Sequence, residues 1–432
     1  MLCKNIEVNG AHLTFAGQDT VALAEKYGTP LYLMDEDRIR ENCRTYVTAM
    51  REAFGENSFP LYASKAASFK RLYEIMKDEG MSVDLVSPGE IFTAMKAGFP
   101  MEHTEFHGNN KTDADISYAM DCGVGYFVAD GMFELLAVDE IARSKGIIQK
   151  VLLRLTPGID PHTYDAVATG KVDSKFGTAI ETGQAEELVE QVLKLQNIQL
   201  MGYHCHLGSQ VFDSDGDLYL NAADIMMSFG ADMERKHGVK MQMLNIGGGF
   251  GVRYTEADPC VDIAGSIRRI AEHMKALAAR LGIGMPTVMM EPGRSIAADA
   301  GMTLYTAGTV KEITGYKNYV SVDGGMTDNP RYALYGSAYT VFLANRMDEA
   351  RDFTCDVVGR CCESGDVVQP GVQMPKPRRG DVVAVCTTGA YNFSMASNYN
   401  RIARPPVVML CGGKDYVAVR RESLEDLTKN DI

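Results

Sequence analysis

Short apolar runs alternate with amphipathic stretches of helical period between Asp35 and Glu291. Buried parallel strands have this apolar character and the helices between them bury one face, so the alternation indicates an α/β architecture. About eight strand–helix units in roughly 250 residues are typical of a (β/α)8 TIM barrel, with an open doubly wound sheet as the alternative. The apolar runs are Phe59–Ala63, Ser82–Val86, Phe106, Gly125–Val128, Val151–Leu155, Leu200–His204, Met241–Ile246 and Pro286–Met290.

The pattern changes after Ser295 to short β-branched runs bounded by Gly, Pro, Asp and Asn, which predict an all-β domain. These runs are Thr303–Val310, Tyr319–Val322, Phe353–Val358, Val382–Cys386 and Val407–Leu410. Similar runs precede Asp35. The sequence therefore predicts a barrel over residues 35–294 and a β-sandwich or barrel-like domain over 295–432 that also takes residues 1–34.

The charge balance excludes some classes of partner. Lys and Arg number 43 against 57 Asp and Glu, a net charge of −14, whereas nucleic acids and anionic membranes reward clustered positive charge. No apolar stretch reaches the length of a membrane span, and the first residues lack a signal core. Ten cysteines without regular spacing are typical of reduced thiols, so we expect a cytoplasmic protein.

Polar residues cluster at the downstream ends of the predicted barrel strands. In a TIM barrel these ends converge on the rim that holds the active site. The residues are Lys65, Asp84, His107, Arg154, His204, His206, Ser209, Gly247, Gly248, Gly249, Glu291 and Arg294.

Several of these residues have a functional and an ordinary interpretation. Lys65 is either solvated or a desolvated nucleophilic amine, and Gly247–Gly251 is either a flexible turn or a phosphate-binding loop that Arg294 completes. His206 is either a hydrogen-bonded core residue or a ring stacked on a flat cofactor. Glu291 is either a surface carboxylate or a buried one that holds a proton on a heterocyclic nitrogen. The sequence His204-Cys205-His206 lacks a second Cys/His pair at finger spacing, which argues against a metal site.

Two loops of the predicted β-domain also carry reactive groups. Residues 361–366, Cys-Cys-Glu-Ser-Gly-Asp, are either buried thiols before a polar turn or a thiol acid/base beside a substrate-binding carboxylate. The segment Gly389–Asn398 is too polar and aromatic for a strand core, and we interpret it as a loop that presents the Tyr391 hydroxyl.

Taken in order, these motifs resemble the diaminopimelate decarboxylases, fold-type III enzymes that use pyridoxal 5′-phosphate. The resemblance runs from about residue 30 to 405. It rests on Tyr62–Ala66, Asp84 with Ser87–Glu90, His107–Lys111, Ser174–Gly177, His204–Gln210, Gly247–Gly251, Glu291–Arg294, Cys362–Asp366 and Gly389–Tyr391.

The resemblance implies a role for each matching residue. Lys65 is the lysine that binds the cofactor covalently, His206 stacks on its ring and Glu291 pairs with the ring nitrogen. Cys362 is the candidate proton donor. The expected cofactor contacts also include Asp84, Ser209, Gly247, Gly248, Gly249, Arg294 and Tyr391. The expected substrate residues are Arg294, Arg331, Tyr335, Glu363 and Tyr391.

The resemblance also implies a homodimer in which Cys362 and Glu363 reach the partner's active site. The expected reaction converts meso-diaminopimelate to L-lysine and CO2. Arg331 and Glu363 suit the substrate's second amino-acid centre, which carries both a carboxylate and an ammonium. One departure is visible, since residues 336 and 337 are Gly-Ser where many relatives carry Asp-Ala.

Three alternatives remain open at this point. One is a decarboxylase of another basic amino acid or of a carboxypolyamine, and a second is an isomerase that resembles alanine racemase. The third is a non-catalytic regulatory homologue, which the presence of the lysine, the glycine loop and the thiol disfavours.

Overall fold

The computed structural model describes residues 2–159, 170, 172–212 and 217–432. The chain divides into two compact units, one of Met1–Glu41, Val252–Cys260 and Ile296–Ile432, the other of Asn42–Gly251 and Val261–Ser295. The domain boundaries predicted from sequence lie at 34/35 and 294/295. The sequence did not predict that residues 252–260 belong to the β-rich unit. Within the described ranges, no helix is long and apolar enough to cross a membrane.

The N-terminal segment forms short strands and one helix. The helix begins where the Asp19 carboxylate accepts hydrogen bonds from the N–H groups of Val21 and Ala22. The elements are β1 (Ile6–Asn9), β2 (His12–Phe15), β3 (Gln18–Asp19), α1 (Thr20–Tyr27) and β4 (Leu31–Asp35).

The next part of the chain alternates strands and helices. Their ends follow local sequence signals, such as Ser87 capping the helix that begins with Pro88, and Gly282 ending a helix at a positive φ of 71°. The strands are β5 (Phe59–Ala63), β6 (Ser82–Leu85), β7 (Thr104–Phe106), β8 (Tyr126–Ala129), β9 (Gln149–Thr156), β10 (Thr178–Ala179), β11 (Ile198–His204), β12 (Met243–Asn245) and β13 (Thr287–Met290). The helices are α2 (Glu36–Phe54), α3 (Lys70–Asp78), α4 (Pro88–Lys96), α5 (Asp113–Asp121), α6 (Met132–Lys145), α7 (Gln184–Val192), α8 (Asp217–His237) and α9 (Ile263–Leu281).

These strands close into a barrel of parallel strands. The strand order is β9-β11-β12-β13-β5-β6-β7-β8, and β8 pairs with β9 to complete the ring. Strand β10 pairs in parallel with the last residues of β9. Closure confirms the predicted TIM barrel and excludes the open doubly wound sheet. Side chains such as Leu61, Leu152 and Met289 fill the inside. The polar residues after each strand therefore share one rim of this unit.

The chain from Ile296 onward forms the β-rich unit together with the N-terminal elements and Val252–Cys260, and α10 begins in the barrel unit. Strand β14 is 13 residues long and joins two parts of a sheet, pairing with β4 and β19 through its first half and with β15 through its second. Strand β4 also pairs with β20, which confirms that the N-terminal segment belongs to the β-domain. The elements are α10 (Arg294–Ala297), β14 (Gly301–Ile313), β15 (Lys317–Val322), α11 (Arg331–Tyr335), β16 (Val341–Leu343), β17 (Phe353–Val358), β18 (Val367–Met374), β19 (Val382–Cys386), β20 (Val407–Cys411), β21 (Lys414–Val419) and α12 (Leu424–Thr428).

Candidate active site

Lys65 lies on a single 3-10 turn, Ser64–Ala66, directly after strand β5. Its Nζ is 3.8 Å from Oδ2 of Asp84, which comes from the neighbouring strand β6. Asp84 is 1% exposed, and neither of its carboxylate oxygens has a hydrogen-bond partner among the described residues. Burial raises the pKa of Asp84, while the positive charges of His107 and Lys65 oppose the rise. An unsatisfied buried carboxylate beside an amine is a site prepared for a cationic or polar group.

Glu291 is the centre of a buried cluster on the same rim. Its Oε1 is 3.0 Å from Nε2 of His107 and 3.1 Å from Nε2 of His204. The Asn245 side-chain amide donates to the same oxygen at 2.7 Å. Strands β7, β11, β12 and β13 thus each deliver one group to this point, as the predicted convergence of strand ends requires.

The charges in this cluster are set by competition between burial and pairing. Burial alone raises the pKa of Glu291, but His107 and His204 outweigh it and hold the pKa well below the usual range. Burial lowers the pKa of His107, but Asp84 and Glu291 outweigh it and raise that pKa to about 10. Burial lowers the pKa of His204 to about 4. At neutral pH the cluster therefore holds an anionic Glu291, a cationic His107 and a neutral His204.

Glu105 is a member of this cluster that the sequence analysis missed. It is fully buried in β7, where its Oε2 accepts from Asn245 at 2.8 Å and lies 3.2 Å from Nε2 of His107. Burial raises its pKa to about 7. Glu105 had little sequence signal, because β7 is a short strand, Thr-Glu-Phe, among polar residues. Asn245 had a clearer one, as the polar residue that ends the apolar strand β12.

Three side chains of this cluster lie close enough together to ligate one cation. They are the imidazoles of His107 and His204 and the carboxylate of Glu291. A protonated imidazole has no free lone pair for a metal. The charges of Asp84 and Glu291 raise the pKa of His107 to about 10, so its imidazolium forms an ion pair with Glu291.

The glycine loop after β12 makes close backbone contacts that a side chain would block. A Cβ on Gly248 would lie 2.0 Å from the Glu291 carbonyl oxygen. One on Gly247 would lie 2.6 Å from the Cys205 carbonyl oxygen, and one on Gly249 would lie 2.2 Å from that of Gly208. Gly247 and Gly249 also have positive φ angles of 72° and 109°, which favour glycine. These contacts leave no space for side chains at the three glycines, so the loop needs glycine to keep this conformation.

Polar side chains of the same unit surround this loop. Ser209 accepts hydrogen bonds from Nε and Nη2 of Arg294, at 3.2 and 2.8 Å. Tyr219 of α8 donates its hydroxyl to the Gly248 carbonyl oxygen at 3.0 Å. A buried guanidinium, a serine hydroxyl and a glycine turn are the donor set that binds phosphate oxygens.

His206 lies next to the glycine loop and to Lys65. The N–H of Gly248 donates to its Nδ1 at 3.2 Å, which fixes one edge of the ring. Burial is the main cause that holds the pKa of His206 well below its ordinary value, and the nearby positive charge of Lys65 is the second. The ring is therefore neutral at neutral pH.

Replacing Gly248 with alanine is expected to weaken binding of pyridoxal 5′-phosphate at least tenfold, because the new Cβ must displace the Glu291 backbone. Titration of the cofactor-free protein measures this affinity, and thermal denaturation checks folding. Gly284→Ala is the matched control, since Gly284 has open space around it and an ordinary φ. Equal affinities for the two variants would contradict the predicted role of the loop.

The β-rich unit carries the other predicted residues. The guanidinium carbon of Arg331 lies 5.9, 5.4 and 5.5 Å from the ring centres of Tyr254, Tyr335 and Tyr391. Nη2 of Arg331 donates to the Ser337 hydroxyl at 3.1 Å, and its Nε has no hydrogen-bond partner in the described part of the chain. Arg331, Tyr335 and Tyr391 were predicted from the sequence as substrate residues. Ser337 was noted there only as a departure from relatives, and Tyr254 was not predicted. The structure thus brings three of the predicted residues together.

Cys362 and Glu363 lie on an exposed loop of this unit. The N–H of Cys362 donates to Oδ1 of Asn400 at 2.8 Å, and Oε1 of Glu363 accepts from the N–H of Gly365 at 3.2 Å. Asp366 anchors the loop, because its carboxylate accepts from the N–H groups of Cys361 and Met326. Both predicted side chains are therefore presented to solvent on a well-anchored loop.

The residues of the barrel rim fit the cofactor that the resemblance implies. The glycine turn with Ser209 and Arg294 suits its phosphate, and Lys65 suits its aldehyde. The anionic Glu291 suits a protonated ring nitrogen, and Asp84 offers two unsatisfied acceptors beside the lysine.

Comparisons with known proteins agree with this fit. The sequence model described as "Pyridoxal-dependent decarboxylase, pyridoxal binding domain" matches residues 36–298. Diaminopimelate decarboxylase of Bacillus subtilis is 44% identical, covering 98% of this chain and 95% of its own. The enzyme of the same name from Halalkalibacterium halodurans is 42% identical, covering 98% of this chain and 96% of its own. Diaminopimelate decarboxylase of M. jannaschii, solved with L-lysine, superposes with a TM-score of 0.90 at 29% identity, covering 99% and 98%.

The identity extends over both units of the chain, and the residues that fit the cofactor lie within the matched range. This chain belongs to the diaminopimelate decarboxylase family of pyridoxal-dependent decarboxylases.

Proposed function

We propose that this protein decarboxylates meso-2,6-diaminopimelate to L-lysine and CO2, the last step of lysine biosynthesis, with pyridoxal 5′-phosphate as cofactor. The observation that carries the proposal is the barrel rim, where Lys65 faces Asp84 and an anionic Glu291 lies within the His107–His204 cluster. The names of the relatives, at 44% and 42% identity over nearly the full chain, support the choice of substrate.

The cofactor supplies an aldehyde that takes the substrate amine and a protonated ring that accepts the electron pair left when CO2 departs. Glu291 holds the proton on the ring nitrogen, because its carboxylate stays anionic at neutral pH. Asn245 and His107 fix the orientation of that carboxylate through Oε1. The neutral ring of His206 would stack on one face of the cofactor ring.

Lys65 is the residue that would hold the cofactor covalently through its aldehyde when no substrate is bound. Asp84 is the buried acceptor for the protons and positive charge of this amine, since it lies 3.8 Å away. Ser209, Arg294 and the N–H groups of Gly247–Gly249 hold the phosphate, and the Tyr391 hydroxyl is a further phosphate or substrate contact.

The two ends of the substrate need opposite charges around them. Arg331, assisted by Tyr335 and Arg294, binds the carboxylate of the amino-acid centre that does not react. Glu363 binds the ammonium of that centre. Ornithine and lysine each have only one amino-acid centre, so a site built for two is expected to reject them strongly, by about 10⁴-fold.

Cys362 is the candidate donor of the proton that returns to the α-carbon after CO2 leaves. Its loop is exposed within one protomer, which supports a homodimer in which Cys362 and Glu363 complete the partner's site. A reducing, cytoplasmic location suits this exposed thiol and the ten free cysteines of the chain. The acidic surface gives no reason to expect nucleic acid or membrane as a partner.

Mixing two inactive variants tests the shared sites. Lys65→Ala and Cys362→Ala subunits, dissociated and reassociated together, are expected to regain about a quarter of the normal activity. Random reassociation makes half of the dimers mixed, and each mixed dimer has one site with both residues intact and one site with both replaced. Activity assays before and after mixing measure the gain, and mixing two batches of Lys65→Ala is the control. No gain after proven subunit exchange would contradict the shared site.

Incubation of the cofactor-loaded protein with meso-diaminopimelate tests the reaction itself. L-lysine and CO2 are expected in equal amounts, whereas L-lysine, L-ornithine and a carboxypolyamine offered alone should release little CO2. Racemisation without CO2, or preference for one of the other substrates, would identify a different enzyme of this fold. Absence of any turnover by protein with bound cofactor would identify a non-catalytic homologue.

A further inference from the structure

Arg331 is a buried cation without a carboxylate partner. The residue is 7% exposed, and among the described residues no acidic side chain forms a salt bridge with it. Its Nε lacks a hydrogen-bond partner, and the Ser337 hydroxyl is the acceptor for Nη2. Buried charges are normally paired, so this guanidinium is poised to receive an anion.

Three tyrosines surround the guanidinium but do not neutralise it. The ring centres of Tyr254, Tyr335 and Tyr391 are 5.4 to 5.9 Å from the guanidinium carbon, within reach of cation–π attraction. Such rings stabilise the positive charge without supplying an opposite one. Ring faces also do not fix the directions of the guanidinium N–H groups, which depend instead on a directional hydrogen bond.

Ser337 supplies that direction because of the turn before it. Helix α11 begins at Arg331 and ends at Tyr335. Gly336 follows with a positive φ of 63° that reverses the chain, and its N–H donates to the Tyr332 carbonyl oxygen at 2.8 Å. The reversal brings the buried Ser337 back to the first residue of the helix. A hydroxyl accepts one hydrogen of Nη2 and leaves the positive charge intact, whereas a carboxylate at this position would cancel it.

We propose that Ser337 is a positioning residue that directs Arg331 toward the carboxylate of the substrate's non-reacting end. This inference rests on the proposed function, in which Arg331 binds that carboxylate. Because L-lysine keeps the same carboxylate after decarboxylation, Ser337 governs product binding as well as substrate binding. Alanine at this position would lack the acceptor, so the Ser337 hydroxyl is the group that orients this arginine.

The test compares Ser337→Ala with Ser337→Thr in the cofactor-loaded protein. Ser337→Ala is expected to raise the KM for meso-diaminopimelate and the inhibition constant of L-lysine about tenfold, with kcat within about twofold. Ser337→Thr keeps the hydroxyl and is expected to restore both constants to within about threefold. Inhibition by cadaverine, which has no carboxylate, should not change. Thermal denaturation shows whether each variant is folded.

The control is Ser144→Ala, which removes an exposed helix hydroxyl of the barrel unit. Unchanged constants in folded Ser337→Ala would overturn the inference, and so would an equal loss of cadaverine inhibition, because that indicates general damage to the site. Arg331→Ala measured in parallel separates the two claims. If Arg331→Ala weakens binding and Ser337→Ala does not, the inference alone fails, whereas normal binding by both variants removes Arg331 from the proposed substrate site.

Discussion

Replacing Lys65 with alanine is expected to abolish turnover of meso-diaminopimelate, by at least about 10⁴-fold, and to remove covalently bound cofactor. The amine is the group that forms and releases the link to the aldehyde, and its place at the end of β5 beside Asp84 is suited to that exchange. Loss of the visible absorbance of the bound cofactor is measured alongside activity, and thermal denaturation shows whether the variant is folded.

Lys65→Arg separates the positive charge from the reactivity of the amine. Arginine preserves a cation opposite Asp84 but does not lose its proton in proteins, so it cannot act as the nucleophile. We expect Lys65→Arg to be as inactive as Lys65→Ala while it retains some affinity for the cofactor through the phosphate site. Activity above about one per cent in either variant would contradict the assignment.

The rim also contains a second lysine that serves as an internal control. Nζ of Lys111 donates to the carbonyl oxygens of Gly108 and Val128 and to Oε1 of Glu134, at 2.9, 2.8 and 2.7 Å. All three of its protons are thereby used, so it is a structural cation and not a nucleophile. Borohydride reduction followed by peptide mapping should label Lys65 and leave Lys111 unlabelled. A label on Lys111 would reverse the two roles.

The barrel was predictable because its signal is local and repeated. Each strand of a closed parallel barrel is buried on both faces, so an apolar run marks it, and observed bounds such as Phe59–Ala63 and Thr287–Met290 lie within a residue or two of the predicted ones. The segment Val252–Cys260 was not predicted to join the β-rich unit. Its composition is that of an ordinary loop and does not indicate which unit it joins. Its membership of the β-rich unit depends on tertiary contacts such as the hydrogen bond from the Thr340 hydroxyl to the Tyr254 carbonyl oxygen.

The site residues that directly follow a barrel strand could be predicted from the sequence. Lys65, His107 and Glu291 each follow a strand, and parallel strand ends share one rim. The contacts among interior groups were not predictable, because Glu105 and Asn245 are 140 positions apart in sequence and meet only through the curvature of the barrel. Their charges depend on those distances, as the pKa of about 7 for the buried Glu105 illustrates.

Replacing Arg331 with alanine is expected to reduce kcat/KM for meso-diaminopimelate about 10³-fold, mainly through KM. The change removes the cation that the tyrosines and Ser337 hold in place, and leaves the substrate carboxylate in a buried aromatic site without a partner. Steady-state kinetics with meso-diaminopimelate, together with inhibition by L-lysine, measure the loss. Arg331→Lys is expected to recover only part of it, because an ammonium cannot pair with a carboxylate in the same bidentate manner.

The surface residue Arg351 provides the matched control for this prediction. Its guanidinium carbon lies 4.9 Å from the ring centre of Phe342, so Arg351→Ala also removes an arginine from an aromatic ring, but one that is exposed to solvent. We expect Arg351→Ala to keep normal kinetics. The cofactor absorbance of Arg331→Ala should also stay normal, because the phosphate and Lys65 contacts are untouched. If Arg331→Ala kept the normal KM for meso-diaminopimelate, the carboxylate would have to bind elsewhere, and both the charge argument for the substrate and the role of Ser337 would fail with it.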